Sequence, residues 1–377
     1  ILGNRAVFAC DWIRVPQAPW LPAPLLYDRF QRPDGPLSET DGYPGELGLG
    51  AGGGGLAWDC ATTWQIVDGK ARCTPNPGAE YIGNGGFDSG SGWTTLGQVV
   101  IGDGVCTLGP AVPSSVRRYL TGYTAGAGEW LRGGYDVISA SNPDTYLRFP
   151  GHTNINTPSA SALLLPVSPG QHAFSFCSGD NGTGCEWQIT TTNTLTIDNV
   201  SLKGLQSSEL FCVHDSESPD VHVAVQFATG ASRIAAGIVL CLDDRTNPQN
   251  YIVVHTLSND VAFNTRIVLG KVVNGVYSIV AGSGGINVAP GSLLSVSKVG
   301  DQVSVFHNRA RVIAPQTISD AGIVGNTRHG LFSTHESVEF SGCEIWAVGT
   351  DGEYTILETL TAPVPEENLV LNPSFEA

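Results

Sequence analysis

The sequence predicts an all-β protein: two antiparallel β-sandwich units, one inserted in a loop of the other, with extended N- and C-terminal arms. Three observations carry this expectation. The 377 residues include 47 glycines, set between short runs of Val, Ile, Thr and Phe, a pattern of many strands separated by turns. No long stretch has apolar residues at helical spacing. The segment Leu25 to Thr74 reads as the opening of one sandwich whose continuation begins near Glu209, and a unit of different character lies between.

The elements follow in order. Residues 1–24 (ILGNRAVFACDWIRVPQAPWLPAP) combine strand-like apolar runs with a proline-rich stretch, and each proline favours extended backbone before it. This is an extended arm whose Trp12 and Trp20 dock either on the first sandwich or on a neighbouring subunit. The glycine run before Leu56 lacks the lysine and hydroxyl residue of a phosphate-binding loop and reads as a surface loop. WQIVDGKARC, from Trp64 to Cys73, is a hairpin with Asp68-Gly69 at its turn. Asn274-Gly275 and Gly300-Asp301 repeat the device in KVVNGVYSIV and SVSKVGDQVSVF. Further strands are expected at Val221 to Phe227, Ala236 to Leu242, Tyr251 to His255, Leu331 to Ser333 and Cys343 to Val348. Together they make an antiparallel meander.

Composition narrows the function classes. A formal net charge of −16 argues against a nucleic-acid surface and favours solubility with little attraction to anionic membranes. No run is long and apolar enough to suggest membrane insertion. The chain starts at Ile1, contains no methionine, and ends in NLVLNPSFEA, which looks like the start of a further module; a processed chain or a portion of a longer one is expected. Most of the nine cysteines lie in strand-like contexts and read as small buried hydrophobes. Cys177 and Cys185 flank a turn, so a local disulfide between them is possible in an oxidising compartment. Asn181-Gly-Thr is a formal glycosylation sequon.

The order and spacing of DRFQRPDGPL, WQIVDGKA, VHVAVQF, AAGIVLCLDDRTNPQNYIVV, VVNGVYSIVAG, GDQVSVFHN, HGLFS and FSGCEIWAV resemble the laminin-G or concanavalin A-like lectin/glucanase superfamily. That resemblance implies a two-sheet jelly roll over residues 25–76 and 206–360. The intervening residues 77–205 are similar to carbohydrate-binding modules of families 4, 9 and 22. Their N-G-x-F opening is matched by Asn84, Gly85 and Phe87, with Trp93 following as a packing residue. Their closing I-D-x-V-x-L strand is matched by Ile197, Asp198, Val200 and Leu202. First and last strands lie close together in such a jelly roll, so it can sit in a host loop. Residues 361–377 then form a linker and the first strand of a further module.

The glucanase branch of that superfamily carries two glutamates and an aspartate at alternating positions of one strand, flanking the scissile bond. No such strand is present: Glu336 and Glu339 would face opposite sides, as would Asp243 and Asp244. The expected protein is therefore not an enzyme. The module resemblance implies a structural calcium held by Asp88 and Asp198 with backbone carbonyls. Asp243, Asp244 and Asn247 form an acidic loop that could be a cation site or a plain β-turn. Sugar recognition needs flat rings beside hydrogen-bonding groups. Trp130, Arg132, Tyr135, Tyr146 and Trp187 are the candidates, each aromatic having core packing as its alternative; Trp130 and Arg132 share one face by alternation. The functional expectation is a glycan-binding, non-enzymatic component of a phage-tail-type virion appendage or extracellular surface assembly. Its partners would be a cell-surface or environmental polysaccharide and neighbouring subunits. The alternatives are a structural filament or shell subunit and the accessory region of a glycoside hydrolase.

Overall fold

The computed structural model describes residues 25–38, 57–110, 114–119, 128–141, 145–148, 162–164, 168–177, 186–229, 234–258, 265–286 and 288–348. The proposed arms, Trp12, Trp20, Asn181 and Cys185 lie outside them. The described residues form antiparallel strands, with one short 3-10 turn at Ser207–Glu209. The all-β expectation is met.

Four sheets result. A nine-stranded sheet is centred on Val221–Thr229, which pairs on one side with Val338–Ala347 and on the other with Ser292–Val299. A seven-stranded sheet runs from Val276–Gly282 through Thr265–Val273, Tyr251–Ser258, Ala236–Leu242, Arg328–Ser333 and Phe211–Asp215 to Asp59–Cys60. Among the described residues, the strands of 77–205 pair with one another, as a six-stranded sheet around Trp130–Ala140 and Leu195–Leu205 and a five-stranded sheet around Ser114–Tyr119 and Glu186–Thr191.

Turn chemistry fixes the register. Asp68 and Gly69 take φ of 54° and 69°, and Asn274 and Gly275 take 51° and 77°, the doubly positive turn whose twist suits a tight hairpin. Val67 then faces Lys70, and Val273 faces Val276. Two further turns of this kind, Asp103-Gly104 and Asn308-Arg309, were not anticipated from the sequence. Gly85 has a different reason to be glycine. A Cβ there would lie 1.8 Å from the Val200 carbonyl, while Val200 donates its N–H to the Gly85 carbonyl at 3.0 Å. The first and last segments of 77–205 meet at this point.

Three apolar clusters hold the molecule. Val221, Val223, Val225 and Phe227 point one way from their strand into a core shared with Ile238, Leu240, Ile252 and Leu331 of the seven-stranded sheet. Phe87, Trp93, Phe174, Trp187, Ile189 and Ile197 fill the core between the five- and six-stranded sheets. The third cluster lies on the other face of the seven-stranded sheet. There Phe211, Val239, Tyr251, Val253, Tyr277 and Phe332 pack against Trp130, Cys177 and Leu205. Ala236–Leu242 is thus buried at every position, because both faces of its sheet are covered.

Candidate functional site

The predicted sugar-stacking rings are mostly inside the protein. Trp130 is fully buried in the third cluster, 4.7 Å from the Phe332 ring and 5.4 Å from His255, and its indole N–H points to the Tyr251 hydroxyl at 3.4 Å. Trp187 is fully buried edge-on to Trp93 at 5.7 Å. Tyr135 is buried and stacked on His172 at 5.2 Å. A ring without exposed faces offers no sugar platform, so these three assignments are corrected: each aromatic takes its core-packing alternative. Trp93 packs in the core as the motif implied. Arg132 does share a face with Trp130, but that face meets the other sandwich. Its guanidinium makes a bidentate pair with Glu336 at 2.6 and 2.8 Å. Tyr146 stands opposite Thr190 and Leu164 on an inner strand of the five-stranded sheet.

The carboxylates considered for chemistry are committed elsewhere. Burial raises the Glu336 pKa, but the Arg132 hydrogen bonds, the hydrogen bond from its own backbone and the nearby His335 and Arg132 charges together outweigh it and leave the group below the usual range. Lys70, and then Arg72, hold Glu339 low. Carboxyl groups held ionised in this way are poor general acids. Asp243 accepts the N–H groups of Asp244 and Gln249 and the amide of Asn250, which makes its loop a hydrogen-bonded turn. Asp28, fully buried, has its pKa raised by desolvation in spite of Arg32 and Trp58. It binds the N–H of Phe30, the Arg32 guanidinium and the Trp58 indole, clamping 25–38 to Trp58.

For calcium, the structure puts Asp136, not Asp88, opposite Asp198. Asp198 Oδ1 accepts the Asn199 N–H at 2.6 Å, and the Asn199 amide donates to Asp136 at 2.8 Å. Asp88 lies in an exposed turn where its N–H binds Asn84. Among the described residues, no three His, Cys, Asp or Glu side chains are grouped to hold a metal. Asp198 Oδ1 lies 4.0 Å from where a Cβ on Gly86 would stand, in the same turn as Asp88. Cys177 is buried, and its proposed partner Cys185 is outside the described residues.

The structure instead assembles polar groups on the outer face of the nine-stranded sheet. Because Val221, Val223 and Val225 face the core, His222, Ala224 and Gln226 face outward. Trp346, His222, Ser297 and Ser304 stand opposite one another on four successive strands. The neighbouring row is Tyr27, Glu344, Ala224, Ser295 and Phe306. Alanine and serines thus form a low floor between larger rings. His222 and Trp346 are half-buried, while Ser297 is only 3% exposed. His222 Nδ1, Ser297 Oγ and Arg29 Nε are buried without a hydrogen-bond partner. The Arg29 guanidinium lies 5.8 Å over the Tyr27 ring. Burial pushes the His222 pKa down to about 4, so the imidazole is neutral near pH 7 and can both donate and accept. An orphaned buried polar atom costs on the order of 1–3 kcal/mol, which a ligand supplying the missing hydrogen bonds would recover. Sequence reasoning treated VHVAVQF and LLSVSKV only as strands. The alternation H-x-A-x-Q and S-x-S, read as outward positions, carried the signal.

No protein-family model and no curated protein matches the chain. Among solved structures, the chain is similar to carbohydrate binding module CBM66 from Bacillus subtilis, with 16% identity and a TM-score of 0.27 over 36% of this chain and 78% of that one. It is similar to Caenorhabditis elegans galectin LEC-6 at 13% identity and TM-score 0.25, over 34% of this chain and 84% of that one. The kappa-carrageenase from Pseudoalteromonas carrageenovora follows at 9% identity and TM-score 0.25, over 69% of this chain and 90% of that one. Likenesses this partial carry no functional argument.

Proposed function

We propose that this chain is a non-enzymatic glycan-binding protein, built as one sandwich carrying a second in a loop, and that it serves on a virion appendage or another extracellular assembly. The observation that carries the reading is the pair His222 Nδ1 and Ser297 Oγ, buried, facing outward on adjacent strands and lacking partners. Neutral hydrogen-bonding groups beside the half-buried Trp346 ring match a neutral sugar, whose hydroxyls need hydrogen bonds and whose C–H faces pack on rings. The test is retention on immobilised neutral polysaccharides and on a glycan array, with His222→Ala and Ser297→Val. Binding should weaken about tenfold for each variant, the cost of one lost polar contact, while the melting temperature holds. Sugar binding that both variants leave untouched would remove this face, and an array without any bound glycan would remove the function.

A second reading, a structural subunit, is favoured by a different observation. Leu96 and Val100 are 64% and 70% exposed, on strands at the edges of the five- and six-stranded sheets. Exposed apolar edges invite pairing with another chain. Self-association lost on Val100→Lys would support that role.

A further inference from the structure

Four thiols that are far apart in sequence, Cys60, Cys73, Cys212 and Cys343, gather in one region of the larger sandwich, close enough for Cys60, Cys73 and Cys343 all to act on the Cys212 thiol. Cys60 and Cys212 have the closest relation. They are directly opposed residues of the antiparallel pair Asp59–Cys60 and Phe211–Asp215. Opposed residues in such a pair have Cα atoms about 4.5 or 5.5 Å apart, within the roughly 4.4–6.8 Å that a disulfide spans. Both are free thiols. Cys60 is half-buried at the edge of its sheet and donates to the Leu37 carbonyl at 2.7 Å, whereas Cys212 is fully buried.

We propose that Cys60 and Cys212 form a reversible cross-strand disulfide, a redox staple whose oxidant is a small disulfide. The partly exposed Cys60 is the attacking thiol. As the thiolate it displaces one thiol from the reagent and becomes a mixed disulfide. Cys212, whose pKa burial pushes well up, reacts second. Its thiolate attacks the Cys60 sulfur, forms the protein S–S bond and expels the second thiol. Two protein thiols lose two electrons, the reagent disulfide gains them, and the two protons end on the departing thiols.

The position gives the bridge a consequence. Residues 60 and 212 bracket both chain crossings between the larger sandwich and the unit at 77–205. Among the described residues, the short strand Asp59–Cys60 is held at the edge of its sheet by Phe211–Asp215. Oxidation would lock that edge strand and keep the chain joined after a cut anywhere between the two cysteines. Such a staple suits a protein that passes from a reducing to an oxidising compartment.

The experiment treats the full native chain with 2-hydroxyethyl disulfide, alkylates the remaining thiols, and maps non-reduced peptides by mass spectrometry. A peptide pair linked through Cys60 and Cys212 is expected as the main cross-link. The melting temperature should rise by roughly 5 °C, reversibly on adding dithiothreitol, because the bridge closes a long loop. Cys60→Ser and Cys212→Ser should each abolish both signals, and Cys73→Ser should keep them. All three variants are first melted in reductant to confirm folding. Cys60 stopping at the mixed disulfide, or bridging Cys73 instead, would overturn the proposal. So would a folded chain in which both thiols still alkylate after treatment.

Discussion

Trp130→Ala separates the two roles this residue could have. The indole is fully buried where the unit 77–205 meets the outer face of the seven-stranded sheet, among Tyr251, His255, Tyr277 and Phe332. A buried tryptophan removes on the order of 150–250 Å² from water, worth about 4–6 kcal/mol at ~25 cal/mol per Å². Truncation to alanine leaves part of that contact and opens a cavity, and such changes cost about 3–5 kcal/mol. The Tyr251 hydroxyl also loses the indole as a partner. The neighbouring Arg132–Glu336 pair adds little by comparison, since its side chains are 25% and 44% exposed and screened by water. Urea unfolding of both proteins followed by fluorescence gives the difference directly. Glycan retention, measured below the unfolding range, should be unchanged. A loss of stability under about 1 kcal/mol together with lost retention would refute the burial argument and return Trp130 to the sugar site.

Acid should weaken the fold well above the carboxylate range. Burial lowers the pKa of His222, His255, His329 and His335 from 6.5 to about 4 in each case. These groups are neutral in the folded state and become protonated more readily when unfolded. Their contribution is therefore fully present above pH 6.5 and is lost as pH falls through 4. Between pH 7 and pH 5 the loss is about 2 kcal/mol per histidine, so a urea midpoint that stays flat across that window would contradict their burial. Chelation should shift the melting temperature by less than about 1 °C, because Asp198 Oδ1 and Asp136 are already engaged by the Asn199 N–H and side-chain amide, and no three His, Cys, Asp or Glu side chains group to hold a metal among the described residues. A larger fall, abolished in Asp198→Ala, would show a cation bound there.

Much of the β-architecture was legible because its signals are local. Strand-period alternation in VHVAVQF, the Asp68-Gly69 and Asn274-Gly275 turns, and the glycine at position 85 each act within a few residues or impose a backbone shape that few residue types accept. The packing of Trp93 was likewise readable from its motif. Sequence could place Trp130 and Arg132 on one face but not say what that face meets. Only the tertiary structure decided that it docks on Tyr251, Tyr277 and Phe332, more than a hundred residues away. The opposition of Cys60 to Cys212 and of His222 to Ser297 is equally non-local, since pairing between distant strands depends on the whole sheet order. Tryptophan and tyrosine serve equally well in a core or under a sugar ring, so composition cannot choose between those uses. Burial chooses, and it belongs to the assembled sheets: the outward row of His222, Ser297 and Ser304 became a candidate site only when four strands lay side by side.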